Sequence, residues 1–134
     1  MPNAKYPSAR GLAVDSGLGW VAGDFWVMGV TSTYVYSAAH DFQDDIVAGV
    51  RVFDVQLTSK TNVTGILDAA DTIISGLTGS IVNALSIYKK LGGAESANPL
   101  ILYLDTGYTL LPYTPNGANV TIQWPNTTNK IVLW

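Results

Sequence analysis

Asn119-Val120-Thr121-Ile122-Gln123-Trp124 alternates polar and apolar residues without a break, placing Val120, Ile122 and Trp124 on one face. That period of two is the mark of a half-buried β-strand. Turn chemistry brackets it: Thr114-Pro115-Asn116-Gly117 stands before, and Pro125-Asn126-Thr127-Thr128-Asn129 stands after. Proline pre-sets φ in such turns, and glycine accepts positive φ. Lys130-Ile131-Val132-Leu133-Trp134 then closes the quoted region as a further strand.

Working back, Leu100-Ile101-Leu102-Tyr103-Leu104 is a continuous apolar run of strand length, so it is expected to be central and covered on both faces. Gly92 to Pro99 has the composition of a loop, and Ala84 to Lys90 reads as a strand. Between Ile66 and Val82, helical spacing of Ile66, Ala70, Ile73, Ile74 and Leu77 competes with Thr72, Gly76, Thr78 and Gly79, which suit a helix interior poorly. The balance favours strand. Phe53 to Thr58 alternates like a half-buried strand, and Asn62 to Leu67 is expected to return as its partner. Phe25 to Thr31 is rich in β-branched and aromatic residues and reads as a strand, with Tyr34-Val35-Tyr36 continuing the ribbon. In the polar segment His40 to Ile46, Asp41 is placed to cap a single helical turn.

Short strands separated by turn signals predict an all-β protein: an antiparallel β-sandwich or barrel-like fold, jelly-roll or immunoglobulin-like, with at most one or two short helical turns. Residues 24–134 make a single domain of this kind. Residues 1–23, with two prolines and four glycines, read as an extended N-terminal arm; Trp20 and Val21 point to a landing on its own domain or on a neighbour, and ordering against a neighbouring subunit is the expectation. A chain of 134 residues buries roughly two-thirds of its unfolded surface and holds together without staples. It has no cysteine, hence no disulfide, thiolate metal site or cysteine nucleophile, and it suits either a reducing or an oxidising compartment.

Only 13% of the residues are charged and the formal net charge is −3, with seven basic residues scattered along the chain. Neutralising phosphates needs clustered Lys and Arg, so no nucleic-acid partner is expected. Neither a secretory signal nor an apolar run of membrane-spanning length is legible, so no membrane role is expected.

Candidate chemistry is sparse. Asp41, Asp44 and Asp45 beside the single histidine, His40, are the candidate metal ligands, since hard cations take several oxygens. Their spacing lacks the alternation, glycine and final Glu of an EF-hand loop, and a capped, solvated turn is the preferred reading. Asp68 and Asp71 have the composition of a catalytic carboxylate pair but no surrounding cleft signature. Gly17-Leu18-Gly19-Trp20-Val21-Ala22 fits the relaxed dinucleotide pattern without the strand before it or the helix after it. No nucleophile elbow or phosphate loop is present. Asn62, Asn119 and Asn126 open glycosylation sequons, which carry little weight without a secretion signal. The expectation is therefore no catalytic residues, no cofactor and no enzymatic activity. Among the aromatics, Tyr108 and Tyr113 stand in loop-like sequence and, with Trp20, are the candidate contact residues.

From about Phe25 onward the sequence resembles a family of small bacteriophage virion structural proteins encoded among head genes. The resemblance is carried by His40-Asp41-Phe42 with Asp44-Asp45-Ile46, by Leu57 to Thr61, by Asp68-Ala69-Ala70-Asp71 and by Ala84 to Lys89. It continues through Leu100-Ile101 with Tyr103 to Thr106, Leu111-Pro112, Thr114 to Gly117, Trp124 and Asn129-Lys130-Ile131. Residues 1–23 lie outside it, and Leu110 to Tyr113 is expanded relative to the pattern. The resemblance implies a head decoration or cement protein present in multiple copies, as a homo-oligomer or on a lattice. It implies the major capsid protein or other virion proteins as partners, and assembly in the host cytoplasm. It carries no active-site residue. A neck, tail or fibre component belongs to the same class, and a carbohydrate- or receptor-binding β-sandwich is the reading from another class.

Overall fold

The computed structural model describes residues 3–128 and 130–134. Its centre is a five-stranded antiparallel sheet made of β1 (Ala4–Lys5), β2 (Phe25–Val30), β3 (Arg51–Gln56), β7 (Ala84–Lys89) and β8 (Leu100–Leu104), in the order β1-β8-β7-β2-β3. A second layer holds two smaller antiparallel sheets. β4 (Thr61–Val63), β5 (Ile66–Asp68) and β10 (Val132–Leu133) form one in the order β10-β5-β4, and β6 (Thr72–Ile74) pairs with β9 (Val120–Ile122) in the other. The fold is all-β, antiparallel and sandwich-like, and no sheet closes into a barrel.

All five residues of β8 are buried, as its apolar run requires, and so are Ala84 to Tyr88 of β7. Cross-strand register explains how both faces are used. Ser86 stands opposite Met28 and Tyr103, so these three share one face. Ile87 stands opposite Val27 and Leu102, and Leu85 opposite Leu104, on the other. The second layer covers the leucine face, where Leu102, Leu104, Ile131 and Val132 line one seam. Gly29 is required on that face because the Phe53 ring of β3 occupies the space a Cβ would take.

The opposite face is covered by the N-terminal segment, which corrects the expectation of an extended arm over residues 1–23. β1 pairs with β8, and Pro7–Asp15 form helix α1. Pro7 starts this helix, where its missing N–H costs nothing and its fixed φ is already helical. Tyr6 and Ala9 are fully buried. Trp20 is buried against Phe25 at 4.7 Å and donates from Nε1 to Asp68 O at 3.0 Å. The segment packs on its own chain, the own-domain landing of the two, and not as an arm reaching a neighbouring subunit. Met1, Pro2 and Asn129 lie outside the described residues.

Two pairings also differ from expectation. Asn62 to Leu67 does not return along β3 but folds on itself as the β4–β5 hairpin. Thr64 and Gly65 both take positive φ, 50° and 88°, which is the backbone twist that joins adjacent strands in two residues. Tyr34-Val35-Tyr36 does not extend β2; it leaves the strand and lays its rings over the sheet. The strand reading of the 66–82 region holds for β5 and β6, and Glu95–Ala97 adds a 3-10 turn within the loop before β8. Among the described residues no helix is long and apolar enough to cross a membrane.

Candidate functional site

The most polar segment folds into a structural clasp. Gln43–Asp45 form a 3-10 turn, and the cap is not Asp41 but Asp45, whose Oδ2 accepts the N–H of Asp41 at 2.8 Å and of Phe42 at 3.1 Å. The Asp41 N–H, seconded by that of Phe42, holds the Asp45 carboxyl below its ordinary range. Arg51 ties the turn down from β3: Nε donates to Ile46 O, Nη2 to Gln43 O, and Nη1 and Nη2 grip the Glu95 carboxylate at 2.8 and 2.7 Å. Beneath them Asn98, almost fully buried, donates to Gln43 Oε1 and accepts from the N–H groups of Leu91 and Gly92. Asp45, Arg51, Glu95, Asn98 and Gln43 are spent on holding two loops together. Asp41, Asp44 and Asp45 are not brought together as ligands, and among the described residues no group of three or more His, Asp or Glu side chains is arranged for a metal ion.

The remaining acidic candidates are likewise separated by their partners. Asp68 faces Lys130 at 3.4 Å, while Asp71 Oδ1 accepts the Trp124 N–H at 3.1 Å. Gly17 to Ala22 follows a helix instead of opening one, and its Trp20 is part of the core. The sequon asparagines act as local braces: Asn62 accepts from Gly65 N–H, Asn119 from Gly76 N–H and Asn126 from Lys130 Nζ.

The aromatic contact residues also move. Trp20 is a core residue with no free face. Tyr108 is buried edge-on against Trp124, with ring centroids 5.9 Å apart and planes at 90°. Burial raises its pKa well above the ordinary tyrosine value. Tyr113 is half-buried and bridged to Val82 through both backbone hydrogen bonds, each 2.9 Å. Loop composition pointed to exposure, but these loops fold back over the second layer.

A buried hydrogen-bonded chain escaped the sequence reading. Tyr6 Oη meets Tyr34 Oη at 2.8 Å and Ser86 Oγ at 3.4 Å, and Tyr34 Oη meets His40 Nδ1 at 3.0 Å. Tyr36 and Tyr103 close around it, their centroids 5.4 Å apart. Burial pushes the Tyr34 pKa up to about 12 and that of Tyr6 higher, so both stay neutral donors. The partners lie up to 80 residues apart, and no local pattern announces such a chain.

Folding leaves an apolar row on the surface of the small sheet. Val63 of β4 stands opposite Ile66 of β5, which stands opposite Leu133 of β10. The three form an apolar row across the outward face of the small sheet, while Leu67 on the opposite face is buried. Val63 is 65% exposed and Leu133 48%. No protein family matches the chain, and no curated protein matches it.

Proposed function

We propose that this chain is a non-enzymatic structural protein of a bacteriophage particle, acting as a decoration or cement protein of the head shell. The observation that carries the reading is the outward row Val63, Ile66 and Leu133 on a sheet whose other face already supplies the core. Contiguous exposed apolar surface on a folded domain suits contact with another protein. A low charge density supports the same view, because few ions need to be stripped of water when copies pack on a lattice. The resemblance to phage head proteins supplies the particle, with the major capsid protein as first partner. A neck, tail or fibre position is the same kind of role at lower copy number. Polar side chains that could have carried catalysis serve instead as caps, clasps and braces, which fits a scaffold better than a reaction centre.

The test is mass spectrometry of purified phage particles, counting this chain against the major capsid protein. Copy numbers comparable with the capsid protein are expected. A few copies per particle would shift the assignment to neck or tail, and absence from the particle would end it.

A further inference from the structure

A groove of about 560 Å³ runs along β9, walled by residues 107–110 and 123–126 and by Asp71. We infer that this groove binds a neutral saccharide of one or two sugar units. The size lies within the range of small-molecule sites. Its exposed wall is made of Asp71, Thr109, Thr121, Gln123 and Asn126, and its aromatic part of the edge-to-face pair Tyr108 and Trp124. Four of the five polar groups are uncharged hydroxyls and amides, each able to donate and to accept, as sugar hydroxyls also do.

Other ligand classes fit worse. No Lys or Arg lines the groove among the described residues, and Lys130, whose Nζ donates to Asn126 Oδ1 at 2.8 Å, is already engaged with Asn126 and Asp68, so phosphate, sulfate and sialic acid meet no uncommitted countercharge. A cation meets one carboxylate, Asp71, which already spends Oδ1 on the Trp124 N–H, and no ligand set accompanies it. A wholly apolar ligand would strip water from five polar side chains without replacing their hydrogen bonds. A sugar offers hydroxyls to that wall, above a floor formed by Tyr108 and Trp124, which are 9% and 6% exposed. Tyr108 adds a separate pointer. Its hydroxyl is buried with no hydrogen-bond partner among the described residues, and an orphaned group of this kind marks a place that something bound can complete. The inference is independent of placement in a virion.

The test is a nitrogen-15 NMR titration of the full chain with methyl glycosides of glucose, galactose, mannose and N-acetylglucosamine, with sialyllactose as the anionic comparison. Saturable shifts confined to residues 107–110 and 121–126 are expected with at least one neutral glycoside and not with sialyllactose. Gln123→Ala and Thr109→Val each remove an exposed polar group from the wall and are expected to weaken binding about five- to tenfold, the worth of one hydrogen bond, with the rest of the spectrum unchanged. Absence of saturable shifts with all four glycosides overturns the inference. So does binding that survives both substitutions, or a preference for sialyllactose.

Discussion

The two layers of the sandwich use their apolar residues differently. In the five-stranded sheet, β7 and β8 are buried on both faces, one by the second layer and one by the N-terminal helix and the tyrosine rings. In the β10-β5-β4 sheet one face is spent on the core through Leu67, and the other shows Val63, Ile66 and Leu133 to solvent. Apolar side chains that folding consumes are read by stability, and those it leaves over are read by association. A substitution that disturbs one measurement and spares the other therefore tells which layer it touched.

The largest expected effect is on the consumed side. Leu102→Ala removes a fully buried side chain from β8 and should cost about 2–5 kcal/mol in chemical denaturation. A loss under 1 kcal/mol would mean that the central sheet is less tightly packed than its burial implies. Gly29→Ala comes next: its Cβ collides with the Phe53 ring, and the forced shift of β3 should cost about 1–3 kcal/mol. Pairing it with Phe53→Leu should recover part of that loss, which separates a local collision from general damage to β2.

A smaller effect is expected at the clasp. Asp45→Asn exchanges a carboxylate for a weaker acceptor of two N–H groups and should cost about 1 kcal/mol at neutral pH. Because the folded pKa of Asp45 is lowered, its contribution is present above the ordinary aspartate value and lost as pH falls through the folded one. The difference between wild type and variant should therefore shrink in acid, and a difference that stayed constant from neutral pH to strong acid would contradict the assigned role. The smallest stability change belongs to the unspent side: Val63→Ser with Leu133→Ser should alter unfolding by no more than about 0.5 kcal/mol. On the proposed particle role, the same pair should abolish attachment to phage particles in a sedimentation assay. Full attachment by the double variant would remove the outward row from the interface.

Local pattern made much of the first layer legible. Phe25 to Val30 by its β-branched and aromatic composition and Leu100 to Leu104 by its apolar run each announce a strand, and so does the alternation around Ile122 in the second layer. Helix α1 carried no such stripe: with Ala9 its one buried residue, it has nothing to repeat, and Pro7 and Gly11 read as breakers until the N-terminal position of Pro7 is known. The hairpin at Thr64-Gly65 lacks the Asn-Gly or Asp-Gly signal, so β4 was assigned to the wrong neighbour. At the candidate sites, composition alone could find polar residues but not their partners. Asp45 and Asp71 look alike in sequence, yet one caps a turn and the other holds the backbone of Trp124. Burial of Tyr108 depends on Trp124 and on a loop's path, which no short window contains.

The docking of β1 onto β8 has a consequence for biosynthesis. Asn3 holds Thr106, 103 residues later, through its side-chain amide, and Tyr6 is buried only once Ser86 and Ile101 are in place. On the ribosome β1 therefore waits with its anchor residues bare until β8 has been made. Pairing across such a distance is slow, and during that interval Tyr6, Ala9 and Trp20 are open to aggregation or to a chaperone's grip. A strand made long before its partner is among the last to find its place.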